Sequence, residues 1–155
     1  MASTDLDLGG FHVPGLVGVM GSAAAASVML HLTPEQTRMA LGISASRAGT
    51  VSANLSTMTN STHCGNAGRM GLEAALLAAK GFTGHPDIFE HPAGYVAVLF
   101  GEGFTLEAVT QDFGNPYRMI DPGVAIKRHP SGYVTHRALT PLWSCARLII
   151  STRQR

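Results

Sequence analysis

The chain has 155 residues, of which 45% are apolar and 14% charged, with a net charge of +1. That balance excludes a disordered chain, which is charge-rich and apolar-poor, and leaves enough length for a real core. It also gives no general electrostatic pull toward nucleic acid or a membrane surface.

The opening Met1–Asp7 is acidic, unlike the basic start of a signal peptide. The apolar run from Val13 to Leu32 is long enough to raise a membrane span. It holds Pro14, Gly15, Gly18, Gly21, Ser22, Ser27 and His31, and alanine contributes little to insertion, so it reads as a buried helix over about 16–30. Gly18, Gly21, Ser22, Ala24 and Ala25 would let a second helix approach closely. Thr33-Pro34-Glu35-Gln36 is a capping-box start for a helix to about Ala48, with Met39, Ala40, Ile43 and Ala45 as burial candidates.

Residues 49–64 are rich in Ser, Thr and Asn and show no sustained period. A helix over about 66–80 follows, with Met70, Ala74, Leu77 and Ala78 at helical spacing and Gly81 placed to end it. Pro86 opens a short turn, 93–100 reads as helical, and Thr105 caps a last helix with Glu107 near its positive end. Val124-Ala125-Ile126 reads as a short strand leading into Lys127-Arg128-His129-Pro130, and Thr135 can begin a further helix. All ten acids precede residue 122, whereas six of the eleven Lys and Arg follow it. A domain boundary is therefore expected near 118–124.

Three polar constellations stand out. His12 lies just before the first helix, where it can cap, sit in the core or serve as a neutral imidazole near the positive helix end. The stretch from Thr57 to Arg69 gathers hydroxyls, Asn60, His63, Cys64 and Arg69 at a glycine-punctuated helix start. Backbone amides there suit an anion, His63 can move a proton, and Arg69 can grip a carboxylate or lie on a solvated face. Lys127 sits in a stiff basic turn, with His136 beyond it, and can clamp a polyanion, act as an acid or simply be solvated. Seven histidines show no zinc spacing, and no phosphate loop or dinucleotide fingerprint occurs, so neither metal nor cofactor is expected. The two cysteines, Cys64 and Cys145, cannot form a disulfide framework, which points to the reducing cytoplasm.

Together these motifs form one pattern. Gly10-Phe11-His12, GVMGSAAAA from Gly18, EQTRMALGI from Glu35, TMTNSTHCGNAGRMGLEAALLAAKGFTG from Thr57 and IKRHPSGYVTH from Ile126 resemble, in order and spacing, the MmgE/PrpD family. That family includes 2-methylcitrate dehydratase and cis-aconitate decarboxylase. The resemblance implies a mainly α fold: a partial helical domain over 1–120, then the first strand and turn of an α/β lid over 121–139, followed by an atypical basic tail over 140–155. It implies a metal-independent lyase acting on a small tricarboxylate, by dehydration or decarboxylation, and a homodimer.

Carried over by position, His12, His63 and Lys127 are the implied catalytic residues. Asn60, Arg69 and His136 are the expected substrate contacts. Asn60 departs from the family pattern, which has lysine there, and His129 stands in place of an aromatic residue before Pro130. Thr140-Pro141 is expected to break the helix that the family continues, and the charge break beyond Leu139 reads as a shifted frame. The chain is accordingly expected to be a fragment. Two other readings are a non-catalytic helical remnant or dimerisation module, and an isomerase or epimerase of the same family.

Overall fold

The computed structural model describes residues 10–101, 104–132 and 135–152, the last seven of these by their backbone alone. The acidic opening Met1–Asp7 and the tail residues Arg153 and Arg155 lie outside the described residues. The described residues are mainly helical: α1 (Val13–Met29), α2 (Pro34–Ala45), α3 (Thr62–Ala79), α4 (Tyr95–Phe100), α5 (Glu107–Thr110) and α6 (His136–Thr152). They fall into two compact units, one up to Thr105 and one from Leu106 onward.

In the first unit, α3 packs on both α1 and α2. The core is built from small side chains. Leu16, Val19 and Ala23 of α1, Ala40 of α2, and Ala74 and Ala75 of α3 are all fully buried. Small side chains let helix backbones come close, and Gly71 marks the tightest point. A Cβ there would lie 2.6 Å from both Ala23 N and Ser22 Cβ. The Ser22 hydroxyl also donates to the Gly68 carbonyl at 2.6 Å, so α1 and α3 are bonded as well as packed.

The face of α1 that meets α3 differs in part from the expected one. Gly18 and Ser22 are at the contact, with Gly18 3.3 Å from the Ala67 Cβ once a Cβ is built on it. Gly21, Ala24 and Ala25 are exposed instead, because they lie on the opposite side of the helix from Val19, Ala23 and Ala26.

Local chemistry explains the helix ends. The Thr33 hydroxyl accepts from the Gln36 amide (3.2 Å), and Gln36 Oε1 accepts from the Thr33 amide (3.0 Å), the reciprocal box the sequence announces. At the end of α3 the Phe82 amide donates to the Leu77 carbonyl and Gly81 has φ +83°. That paired return needs a left-handed residue, which glycine adopts without strain. The end of α1 uses the same motif with His31 at φ 54°, and Leu32 N–H donates to the Ser27 carbonyl. Helix α1 starts at Val13 rather than Leu16, with Pro14 in its first turn. Helix α3 starts at Thr62, four residues before the expected start, so His63 belongs to its first turn.

Tyr95, at the start of α4, is buried, and its hydroxyl donates to the Leu16 carbonyl at 2.9 Å. Phe89 and Phe100 flank its ring, with centroids 5.8 Å and 5.5 Å away. Burial pushes its pKa up from 10.0 to about 12.

The second unit departs from expectation in three places. Val124 is extended (φ −109°, ψ 122°), but no described residue pairs with residues 124–126, so the expected strand does not form. A strand needs a neighbour to satisfy its amides, and Val124 and Ile126 stay exposed. Helix α5 begins at Glu107 with Leu106 at its cap position, one residue past the expected Thr105. Helix α6 runs through Pro141 instead of ending there. Proline at this sixth position removes one amide, the partner of the Arg137 carbonyl, and good helix formers flank it at Ala138, Leu139 and Leu142.

Two outcomes follow from this packing. Gly71→Ala forces a methyl into the α1 backbone and should lower stability by about 1–3 kcal/mol, whereas Gly21→Ala, which meets nothing within 4 Å, should raise it by up to about 1 kcal/mol. Chemical denaturation of both variants checks the pair. A raised Tyr95 pKa means the folded state holds its phenol proton more tightly than the unfolded chain. Its contribution is therefore complete below pH 10 and is lost as pH rises toward about 12. Phenolate absorbance should show Tyr95 ionising together with loss of helix, and Tyr95→Phe should remove that coupling.

Candidate active site

The site begins with a backbone strap. The only β feature among the described residues is an isolated antiparallel bridge between Phe11 and Val51. Ser52 N–H donates to the Gly10 carbonyl (2.7 Å), and His12 N–H donates to the Thr50 carbonyl (2.8 Å). The Thr50 hydroxyl donates to the His12 carbonyl at 3.0 Å, and Gly15 N–H donates to the same oxygen at 3.0 Å. The segment before α1 is thus fixed against the segment after α2.

His12 occupies the cap position of α1, yet its side chain makes no capping bond. Its ring turns to α3 instead. His12 Nδ1 and His63 Nδ1 lie 2.9 Å apart, with ring centroids separated by 5.1 Å. A hydrogen bond between two Nδ1 atoms needs one proton there: one ring donates and the other accepts. His63 is 4% exposed, and His12 is half-buried. The pair therefore has a closed side at α3 and a more open side at α1. Two imidazoles sharing one proton can pass it on, which is what acid–base chemistry requires.

Asn60 is half-buried in a short 3₁₀ turn, Met58–Ser61, one turn before His63. Arg69 lies on the outer side of α3. It shares the Glu73 carboxylate, at 3.5 Å, with Arg47, which is closer at 2.9 Å. The Arg69 side chain is 63% exposed, so the fork faces solvent and its ion pair is weak. Cys64, next to His63, is exposed and free.

The remaining candidates belong to the second unit. Lys127 is exposed, immediately before the bend over 128–131. His136 opens α6, its Nε2 lies 3.1 Å from the His129 carbonyl, and the two rings meet edge to face at 5.2 Å. Nε2 of His129 is buried and has no hydrogen-bond partner among the described residues. Arg128, Arg137, His136 and Thr140 line an open cleft of about 570 Å³ in this unit.

Sequence reasoning singles out His12 and His63 separately, but nothing in it announces that they touch. It passes over Thr50 and Tyr95 altogether. Thr50 is one hydroxyl among many in a polar stretch, and its role depends on a partner 38 positions away. Among the described residues, no cluster of three or more His, Cys, Asp or Glu could hold a metal ion. No described helix is long and apolar enough to cross a membrane.

Residues 2–107 match the family described as the MmgE/PrpD N-terminal domain. The chain is 38% identical to cis-aconitate decarboxylase of Homo sapiens over 126 residues, covering 81% of this chain and 26% of that protein. It is 37% identical to cis-aconitate decarboxylase of Mus musculus over 126 residues, 81% of this chain and 25% of that protein. It is 30% identical over 136 residues to cis-aconitate decarboxylase-like protein oryM of Aspergillus oryzae, 83% of this chain and 28% of that protein. The chain thus spans about a quarter of the length of the curated relatives it matches.

The ion-pair geometry around Arg69 gives a direct check. Glu73→Gln removes the carboxylate shared by the exposed Arg69 and the half-buried Arg47 and should change stability by less than about 1 kcal/mol. A melting curve measures it, and added salt should narrow the difference.

Proposed function

The chain belongs to the MmgE/PrpD family, and on that premise we propose that it carries the proton-transfer part of a lyase acting on a small tricarboxylate. The observation that carries the reading is the Nδ1–Nδ1 contact of His12 and His63. Decarboxylation leaves an electron pair on a carbon that must be protonated. Dehydration needs a proton taken beside a carboxylate and another delivered to the departing hydroxyl. Decarboxylation calls for a group that delivers a proton and dehydration for one that also takes a proton, and a paired imidazole can do both. Identity to cis-aconitate decarboxylases favours decarboxylation over dehydration.

In this reading His12 and His63 move the proton, and Asn60 and Arg69 contact substrate carboxyls in the same unit. Lys127 and His136 act as the proton- and anion-handling groups of the second unit. Its acid-free sequence beyond Asp121 keeps positive charge uncompensated by local carboxylates. Residues 121–139 begin a further domain in this scheme, and 140–155 form a basic tail. Two exposed free cysteines fit a reducing compartment, so the cytoplasm is proposed.

One observation favours a second reading, a helical assembly module. The outer side of α1 exposes Val17 (48%), Val28 (74%) and Met29 (78%), and α3 exposes Leu72 and Leu76. Apolar surface of this kind is usually covered by a partner. A homodimer would satisfy both readings, and light scattering of the purified chain separates them when combined with turnover.

Addition of cis-aconitate or 2-methylcitrate to the 155-residue chain should shift the ring resonances of His12 and His63 and release carbon dioxide or water-elimination product. His63→Ala should lower that turnover about 10²–10⁴-fold. A folded chain whose ring resonances ignore saturating amounts of both acids, and which turns over neither, would overturn the lyase proposal.

A further inference from the structure

We infer that Thr50 is the positioning residue for the His12 imidazole, setting the Nδ1–Nδ1 contact on which proton transfer depends. Its catalytic meaning rests on the lyase reading above, whereas its geometric role does not.

Both backbone hydrogen-bonding groups of His12 are tied to Thr50. The His12 N–H donates to the Thr50 carbonyl at 2.8 Å, and the His12 carbonyl accepts from the Thr50 hydroxyl at 3.0 Å. Fixing the peptide on each side of a residue fixes the direction of its Cα–Cβ bond, and only the two side-chain torsions remain free. His12 has φ −90° and ψ 113°, outside the helix that follows; α1 holds its carbonyl through Gly15 N–H at 3.0 Å, but the His12 N–H is tied only across the strap to Thr50. The ring makes no capping bond that would anchor it elsewhere. The strap through Thr50 is therefore what aims the ring at His63.

Gly15 supplies the second half of the argument. A Cβ at Gly15 would overlap the Thr50 Oγ1, and it would lie 2.5 Å from Cγ2 and 2.8 Å from Cβ. The threonine side chain is thus seated against the bare backbone of the first turn of α1, with both its hydroxyl and its methyl in fixed places. That seat packs the side chain close to Gly15 with its hydroxyl against the His12 carbonyl. A donor so confined loses little entropy in making its bond, which is the physical content of preorganisation.

The test uses the full chain and reads the rings directly. Long-range proton–nitrogen NMR distinguishes an imidazole protonated at Nδ1 from one protonated at Nε2. The unaltered chain should show one ring of the pair as the Nδ1–H form, since the contact requires it. Thr50→Val keeps the shape and removes the hydroxyl, and it should abolish the Nδ1–H signature. Thr50→Ser keeps the hydroxyl and should restore it. If Thr50→Val does not fold, Thr50→Ala serves in its place, with melting curves confirming the fold.

Where the chain turns over a tricarboxylate, Thr50→Val should also lower kcat about 100-fold with KM changed by less than about twofold. A merely structural threonine would lower the melting temperature and leave the tautomer alone. A folded Thr50→Val or Thr50→Ala variant that keeps the Nδ1–H signature overturns the proposal. Loss of the signature in a chain without turnover supports the positioning role and counts against the lyase instead.

Discussion

The closeness of α1 to α3 is the constraint from which the rest of the first unit follows. Gly71 has no side chain, so the backbone of α1 can rest directly on α3 at Ser22 and Ala23. The Ser22 hydroxyl then bonds the Gly68 carbonyl, and the small residues Ala67, Ala74 and Ala78 fill the remaining space. At that separation, a side chain immediately before α1 reaches one in the first turn of α3. A wider spacing between the helices would part His12 from His63, and a 2.9 Å contact tolerates almost no change. Packing by alanine and glycine is therefore a geometric requirement of the site as well as the means of burying the helices.

Much of this is written locally and can be read locally. The reciprocal Thr33–Gln36 cap and the left-handed Gly81 depend on residues a few positions apart, and both form as the sequence indicates. The mainly α architecture follows from helical spacing in the same way. What is not local is less legible. The start of α3 at Thr62 depends on a 3₁₀ turn leading into it, which has no apolar period to announce it. The buried side of α1 depends on which helix arrives: Gly21, Ala24 and Ala25 are as small as Gly18 and Ala23, and only tertiary contact separates the two sets. Residues 124–126 have strand-like composition, but among the described residues they lack the neighbour that would make them a strand. Pro141 stands in α6 because one missing amide is a local loss set against a long helix.

The site divides along the same line. Each histidine is visible in the sequence as a residue of interest, because its type and its place beside a helix start are local facts. Their contact across 51 positions, and the threonine that directs one of them, are products of the fold. Arg69 shows the converse. Its position in the motif is legible, but its neighbours are not, and the structure pairs it with Glu73 beside Arg47 on a solvated side of α3.

The span of chain enclosed by the imidazole pair bears on how the protein reaches its working form. The pair closes a loop of 51 residues that contains all of α1 and α2. Such a closure costs entropy that only the docked helices can recover. The strap at Thr50 closes a shorter loop inside it, over 38 residues, and so carries a smaller entropic cost of its own. The two closures differ by only about 0.3 kcal/mol and both enclose α1 and α2, so the seating of His12 and the completion of the pair depend alike on those helices docking. No excised helix could reproduce the pair, because the chemistry is a property of the joined ends rather than of either segment.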